Sequence, residues 1–174
     1  ADLDPFINLL AGQSDADGLR ALFTTWITLP HPDLDVLVPA VLDGAIHYVR
    51  KGEQKFAREA KTVLELGERS PGDAGVLCSM LLNRLTLHPG DAIYLPAGNL
   101  HAYLEGVGVE VMANSDNVLR GGLTPKHVDV PELLRVLDFN PAVDIIVRPE
   151  SLRDGAELVY PTPAPEFAVS VLPV

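Results

Sequence analysis

The residues best placed to do chemistry lie in two stretches. In LHPGDAIYLPAGNLHAYLEG, residues 87–106, Gly90 is followed after five residues by Pro96, then by Gly98 and by His101. Pro89 and Gly90 predict a turn, the segment DAIYL a strand, and Pro96–Gly98 a second tight turn from which His101 opens the next strand. Alternate side chains of a strand share a face, so in a small barrel His101 and Tyr103 both reach the interior. A neutral imidazole there is a good zinc ligand. The second stretch, GVGVEVMANSDNVLRGGLTPKHVDVPELL at 106–134, combines Glu110, Asp116, Arg120 beside Gly121 and Gly122, and Lys126 after a Thr124–Pro125 turn. Arginine offers a permanent forked donor to a phosphate or a developing oxyanion, and the glycines allow close approach of backbone and substrate.

A zinc site needs three or four ligands; His101 is a candidate for one, although a lone histidine opening a strand is more often a satisfied core or surface residue. His31, His47, His88 and His127 are scattered, with no HxH or QxH pair, and are read as structural or exposed. The single cysteine, Cys78, excludes an internal disulfide and sits among apolar neighbours, as a buried structural thiol does. With 13 Lys+Arg against 24 Asp+Glu, the net charge of -11 argues against a broad nucleic-acid surface and repels anions at long range. A phosphate site must therefore be a local basic pocket, for which Arg120, Lys126 and His127 are the candidates, although as a bare charge cluster they read equally as a solvated loop. No apolar stretch approaches the ~18 residues of a spanning helix. ADLDPFINLL has neither the basic start nor the cleavage site of a secretory signal, so the expected compartment is the cytoplasm.

Two kinds of element must hold these residues. Leu19, Leu22, Phe23 and Trp26 form one helical stripe, and Leu34, Leu37, Val38, Val41, Leu42 and Ile46 a second. A third helix over 52–69 places Phe56, Ala60, Val63, Leu64 and Gly67 inward. Pro71, Gly72 and Gly75 in SPGDAG then break the helical texture. Short segments follow at 84–90, 91–96, 101–106 and 107–113, read as barrel strands, and then a short helix over 131–139 with Pro131 in its first turn. The tail returns to strands at 143–149, 156–161 and 166–174, separated by PESLRDG and PTPAP. The expected fold is mainly β with α: a β-barrel portion plus an inserted helical subdomain. Residues 1–69 form the helical subdomain, 70–140 the barrel portion with the metal ligand and arginine, and 141–174 the start of a C-terminal β-domain.

The spacing Gly90, Pro96, Gly98, His101 resembles the second sequence motif of the cupin superfamily, with Glu105 where that motif usually has asparagine, and the resemblance implies that the barrel portion is a cupin-type jelly-roll β-barrel. More specifically, SPGDAG, LLNRLTLHPGDAIYLPAGNLHAYLEG and SDNVLRGGLTPKHVDVPELL resemble the type I mannose-6-phosphate isomerases, densely from residue 71 to about residue 139. The resemblance implies that His101 is a zinc ligand and Arg120 the active-site arginine, with Tyr103, Glu110, Asp116 and Lys126 around the sugar-phosphate pocket. It implies a zinc-dependent interconversion of mannose 6-phosphate and fructose 6-phosphate through an enediolate. The family's other zinc ligands lie upstream, in QVH and NHKPE segments that do not occur here, and members extend further at the C-terminal side. The chain is thus expected to be an internal slice, inactive alone, whose partners are a sugar phosphate and the missing segments of the same protein. The alternative is a sugar-phosphate-binding or regulatory cupin without catalysis. An iron oxygenase would want two histidines and a carboxylate in proximity, more than this barrel offers. Glu110 is a candidate base, with the upstream HKPE residues stronger candidates.

Overall fold

Prolines and acidic side chains set where the helices of this chain begin. In the computed structural model, which describes residues 3–13, 15–143 and 145–172, α1 (Asp4–Ala11) and α3 (His31–Arg50) each carry a proline in the first turn, where no helical N–H is lost. α2 (Asp15–Ile27) opens on Asp15 and Asp17, and α3 ends on His47 and Arg50; both ends suit the helix dipole. α2 buries Leu22, Phe23 and Trp26, and α3 buries Leu34, Leu37, Val38 and Val41, as their stripes predict. Leu19, Leu42 and Ile46 are half-buried at the margins.

α4 (Ala57–Arg69) differs from the expected helix in start and facing. It begins after Phe56, which is 52% exposed with the Lys55 ammonium 5.0 Å over its ring. Leu66 is buried with Val63 and Gly67, whereas Leu64 is half-buried. The reason is the partner: a Cβ on Gly67 would lie 2.6 Å from Leu42 Cδ2, so the α3 contact selects the Gly67 face. Residues 75–83, to which the sequence assigns no element, hold most of α5 (Ala74–Cys78) and a 3-10 turn, Ser79–Leu81. Val76, Leu77 and Cys78 are at most 2% exposed, which puts α5 at the centre of the apolar core. α6 (Val130–Val136) forms where expected, with the Asp129 carboxylate accepting from the Glu132 N–H at 3.0 Å and Leu133 and Leu137 buried. Phe139 meets Phe23 edge-on at 5.6 Å, and Arg20 lies 4.6 Å over the Phe139 ring while donating to the Leu134 carbonyl. These helices belong to one compact unit, Ala1–Arg84 with Leu119–Pro141.

The other unit, Leu85–Val118 with Ala142–Val174, carries the strands. β1 (Ala92–Ile93) pairs antiparallel with β2 (Ile146–Val147), Ala92 opposite Val147. β3 (Glu150–Leu152), β4 (Glu157–Tyr160) and β5 (Val169–Val171) form an antiparallel sheet in that order. PESLRDG is therefore only partly a turn: β3 takes its first half, and Arg153, Asp154 and Gly155, all at positive φ, make the reversal. The Tyr160 hydroxyl donates to the Gly90 carbonyl at 2.8 Å, tying β4 to the turn before β1.

The expected strands at 84–90, 101–106 and 107–113 have no ladder among the described residues, and the one at 91–96 is reduced to β1. A strand exists only by pairing, and alternating side chains cannot supply the partner. Among the described residues helix exceeds strand, against the expectation of a mainly β chain, and the laddered strands form one two-stranded and one three-stranded antiparallel sheet. No described helix is long and apolar enough to cross a membrane.

Candidate active-site residues

Within the strand-bearing unit, the backbone reverses ahead of His101 through a turn in which the Asn99 N–H donates to the Pro96 carbonyl at 3.3 Å and Gly98 takes φ +86°. His101 Nδ1 lies 2.9 Å from the Asn99 carbonyl. A carbonyl only accepts, so Nδ1 carries the ring proton and the Nε2 lone pair of the neutral ring is left free. Nε2 faces Glu110 Oε1 at 4.0 Å, with both side chains a little under half exposed. The Tyr103 ring stands edge-on to His101, centroids 6.3 Å apart. Desolvation of the Tyr103 phenol, then the charge of Glu110 and a hydrogen bond to it, raise its pKa above the usual value. His101, Tyr103 and Glu110 thus form one cluster. Asp116, in the same unit, is exposed beside a turn in which Ser115 Oγ accepts the Asn117 N–H at 3.2 Å.

The helical unit carries Arg120 and Lys126. Arg120 is half-buried, and Lys126 is exposed with its N–H donating to Thr124 Oγ1 at 3.2 Å. The loop between them is fastened to the start of α5. Asp73 Oδ1 caps α5 by accepting the Gly75 N–H at 2.7 Å, and Oδ2 accepts the Leu123 N–H at 3.0 Å. Sequence reasoning treats Asp73 only as part of a helix-breaking SPGDAG; its position two residues before Gly75 is the signal of a cap. Its second bond spans fifty residues and has no local signal. Cys78 is buried as expected; burial first, and the negative charge of Asp73 second, push its thiol up to about 12.

His31, His47, His88 and His127 are all exposed. No group of three or more His, Cys, Asp or Glu among the described residues could hold a metal ion. His101 nevertheless has the chemistry of one zinc ligand: a free Nε2, with the opposite ring nitrogen fixed by a backbone carbonyl.

No family model matches the chain. Over 173 residues, 98% of its length, it is 38% identical to the mannose-6-phosphate isomerase of Escherichia coli K12 and 47% identical to that of Shigella flexneri, covering 42% of each. The mannose-6-phosphate isomerase of Mus musculus is 43% identical over 117 residues. Among solved structures, the apo form of mannose 6-phosphate isomerase from Salmonella typhimurium matches 95% of this chain with a TM-score of 0.80 and 35% identity, and the match takes in 41% of that protein. The chain spans about two-fifths of the length of these relatives. In sequence and in structure, over nearly all of its length, the chain is homologous to a part of the mannose-6-phosphate isomerases.

Proposed function

We propose that this chain is part of a zinc-dependent mannose-6-phosphate isomerase, to which it contributes one zinc ligand, His101, and the active-site arginine, Arg120. The observation that carries the reading is identity of 38% and 47% across 98% of the chain to relatives of that name. The reaction moves a proton between the first and second sugar carbons, and negative charge builds on oxygen in the enediolate. Zinc, when bound, supplies Lewis-acid polarisation of a sugar oxygen. His101 would hold it through Nε2, the nitrogen left free by the Asn99 carbonyl. Arg120 stabilises the developing oxyanion with a charge that does not titrate, help worth a few kcal/mol. Tyr103, Glu110, Asp116 and Lys126 orient the sugar phosphate, with Lys126 supplying positive charge in an otherwise acidic chain. Glu110, 4.0 Å from His101, is the carboxylate of this chain nearest to that work. The remaining ligands, and the stronger candidates for proton carrier, are assigned to upstream segments of the same protein. The lone unpaired thiol suits a cytoplasmic enzyme.

The test is to prepare residues 1–174 alone and joined to the upstream segment, and to measure bound zinc and conversion of mannose 6-phosphate in both. Zinc and turnover in the joined protein alone are the expected result. Substantial turnover by residues 1–174 alone would show that the remaining ligands lie within them. Sugar-phosphate binding without conversion in the joined protein would favour a regulatory cupin.

A further inference from the structure

The backbone just beyond Arg120 adopts a conformation that suits Gly122 but that Leu123 disfavours. Gly122 takes φ +104° and Leu123 φ +55°, and a leucine in the left-handed region needs outside support. That support is the Asp73 carboxylate, whose Oδ2 accepts the Leu123 N–H at 3.0 Å while Oδ1 caps α5 through Gly75 at 2.7 Å. The two backbones are as close as glycine allows. A Cβ on Gly122 would lie 2.9 Å from Asp73 Oδ1 and 3.0 Å from Gly75 Cα, and one on Gly75 would lie 2.9 Å from the Leu123 nitrogen. The platform behind Asp73 is rigid, because Val76 and Leu77 of α5 are completely buried.

We infer that Asp73 is a positioning residue for Arg120, bridging the buried α5 to the backbone three residues past the arginine and so fixing where the guanidinium is presented. This rests on the isomerase reading. A side chain that stabilises charge in a transition state must be held to within a fraction of an ångström, and small misplacements can cost up to about 100-fold in rate. Capping alone would make Asp73 a structural residue, and the two roles separate chemically. Asp73→Ser keeps an oxygen able to cap Gly75, but it is one atom too short to hold Leu123 as well. Gly122→Ala leaves the carboxylate intact and wedges the loop away from it.

The experiment measures kcat and KM for mannose 6-phosphate, with zinc content, in the complete zinc-loaded protein carrying this chain. Asp73→Ser and Gly122→Ala are each made in the wild-type and in the Arg120→Ala background. Each is expected to keep zinc, lower kcat by about 10- to 100-fold with little change in KM, and add less than about twofold once Arg120 is gone. If Asp73→Ser does not fold, Gly122→Ala carries the same comparison with the Asp73 carboxylate retained. Equal losses in both backgrounds, or kcat unchanged, would overturn the positioning role while leaving the isomerase reading in place. Absence of turnover in the zinc-loaded wild type would overturn both.

Discussion

At His101 the bond from Nδ1 to the Asn99 carbonyl decides which nitrogen is available, and that nitrogen points toward Glu110. Removing one of about four zinc ligands leaves an incomplete shell. His101→Ala in the joined protein is therefore expected to lose most of its zinc and its activity while staying folded. Metal analysis showing unchanged zinc would exclude the ligand role. Cys78 offers a second check at this scale. Its thiol is raised from 9.0 to about 12 in the folded chain, so burial of the neutral form contributes stability that is complete below pH 9.0 and lost as pH climbs toward 12. Denaturation midpoints should fall over that interval, and alkylation of native Cys78 at pH 8 should be far slower than in the unfolded chain. Equal alkylation rates would mean that the thiol is not buried. The turn ahead of His101 was legible because Pro96 and Gly98 stand at the offsets a tight turn needs. The bridge from Asp73 to Leu123 was not, because it joins residues fifty apart through a backbone N–H that any side chain leaves unchanged.

Among the elements, helices announced themselves where a stripe met a core. Leu22, Phe23 and Trp26 of α2 and Leu34, Leu37, Val38 and Val41 of α3 repeat at helical spacing and are all buried. α1 went unread because it buries no residue fully, with only Phe6 and Leu9 turned partly inward. Its place is set instead by Gly18 of α2, where an added Cβ would come 2.6 Å from the Leu10 carbonyl oxygen. The neighbour there is backbone, so Gly18→Ala should force α1 away and cost about 1–3 kcal/mol. A chemical denaturation curve as stable as wild type would show that α1 does not depend on that contact. Strands were harder to read because a ladder needs a second segment. β1 finds its partner in β2, more than fifty residues along the chain, whereas 107–113 alternates convincingly and pairs with nothing among the described residues.

For the whole molecule, the exposed apolar side chains around the His101 cluster carry the most information. Val107 and Val109 are essentially fully exposed, and Met112 is 70% exposed, on a segment without a ladder. Exposed apolar residues on unpaired backbone invite association, and a net charge of -11 opposes it only weakly at high salt. Residues 1–174 alone should therefore form concentration-dependent oligomers in size-exclusion chromatography as salt is raised, and joining the upstream segment should suppress them. A strictly monomeric chain at all salt concentrations would argue against a missing covering segment. The most direct test of the isomerase reading is the rate of conversion of mannose 6-phosphate to fructose 6-phosphate by the joined, zinc-loaded protein, wild type beside Arg120→Lys. The expected result is turnover in the wild type and, with zinc content unchanged, a rate lower by at least about tenfold in the variant, because a point charge does not replace a planar fork. Equal rates in the two proteins, or no turnover in the wild type, would contradict it.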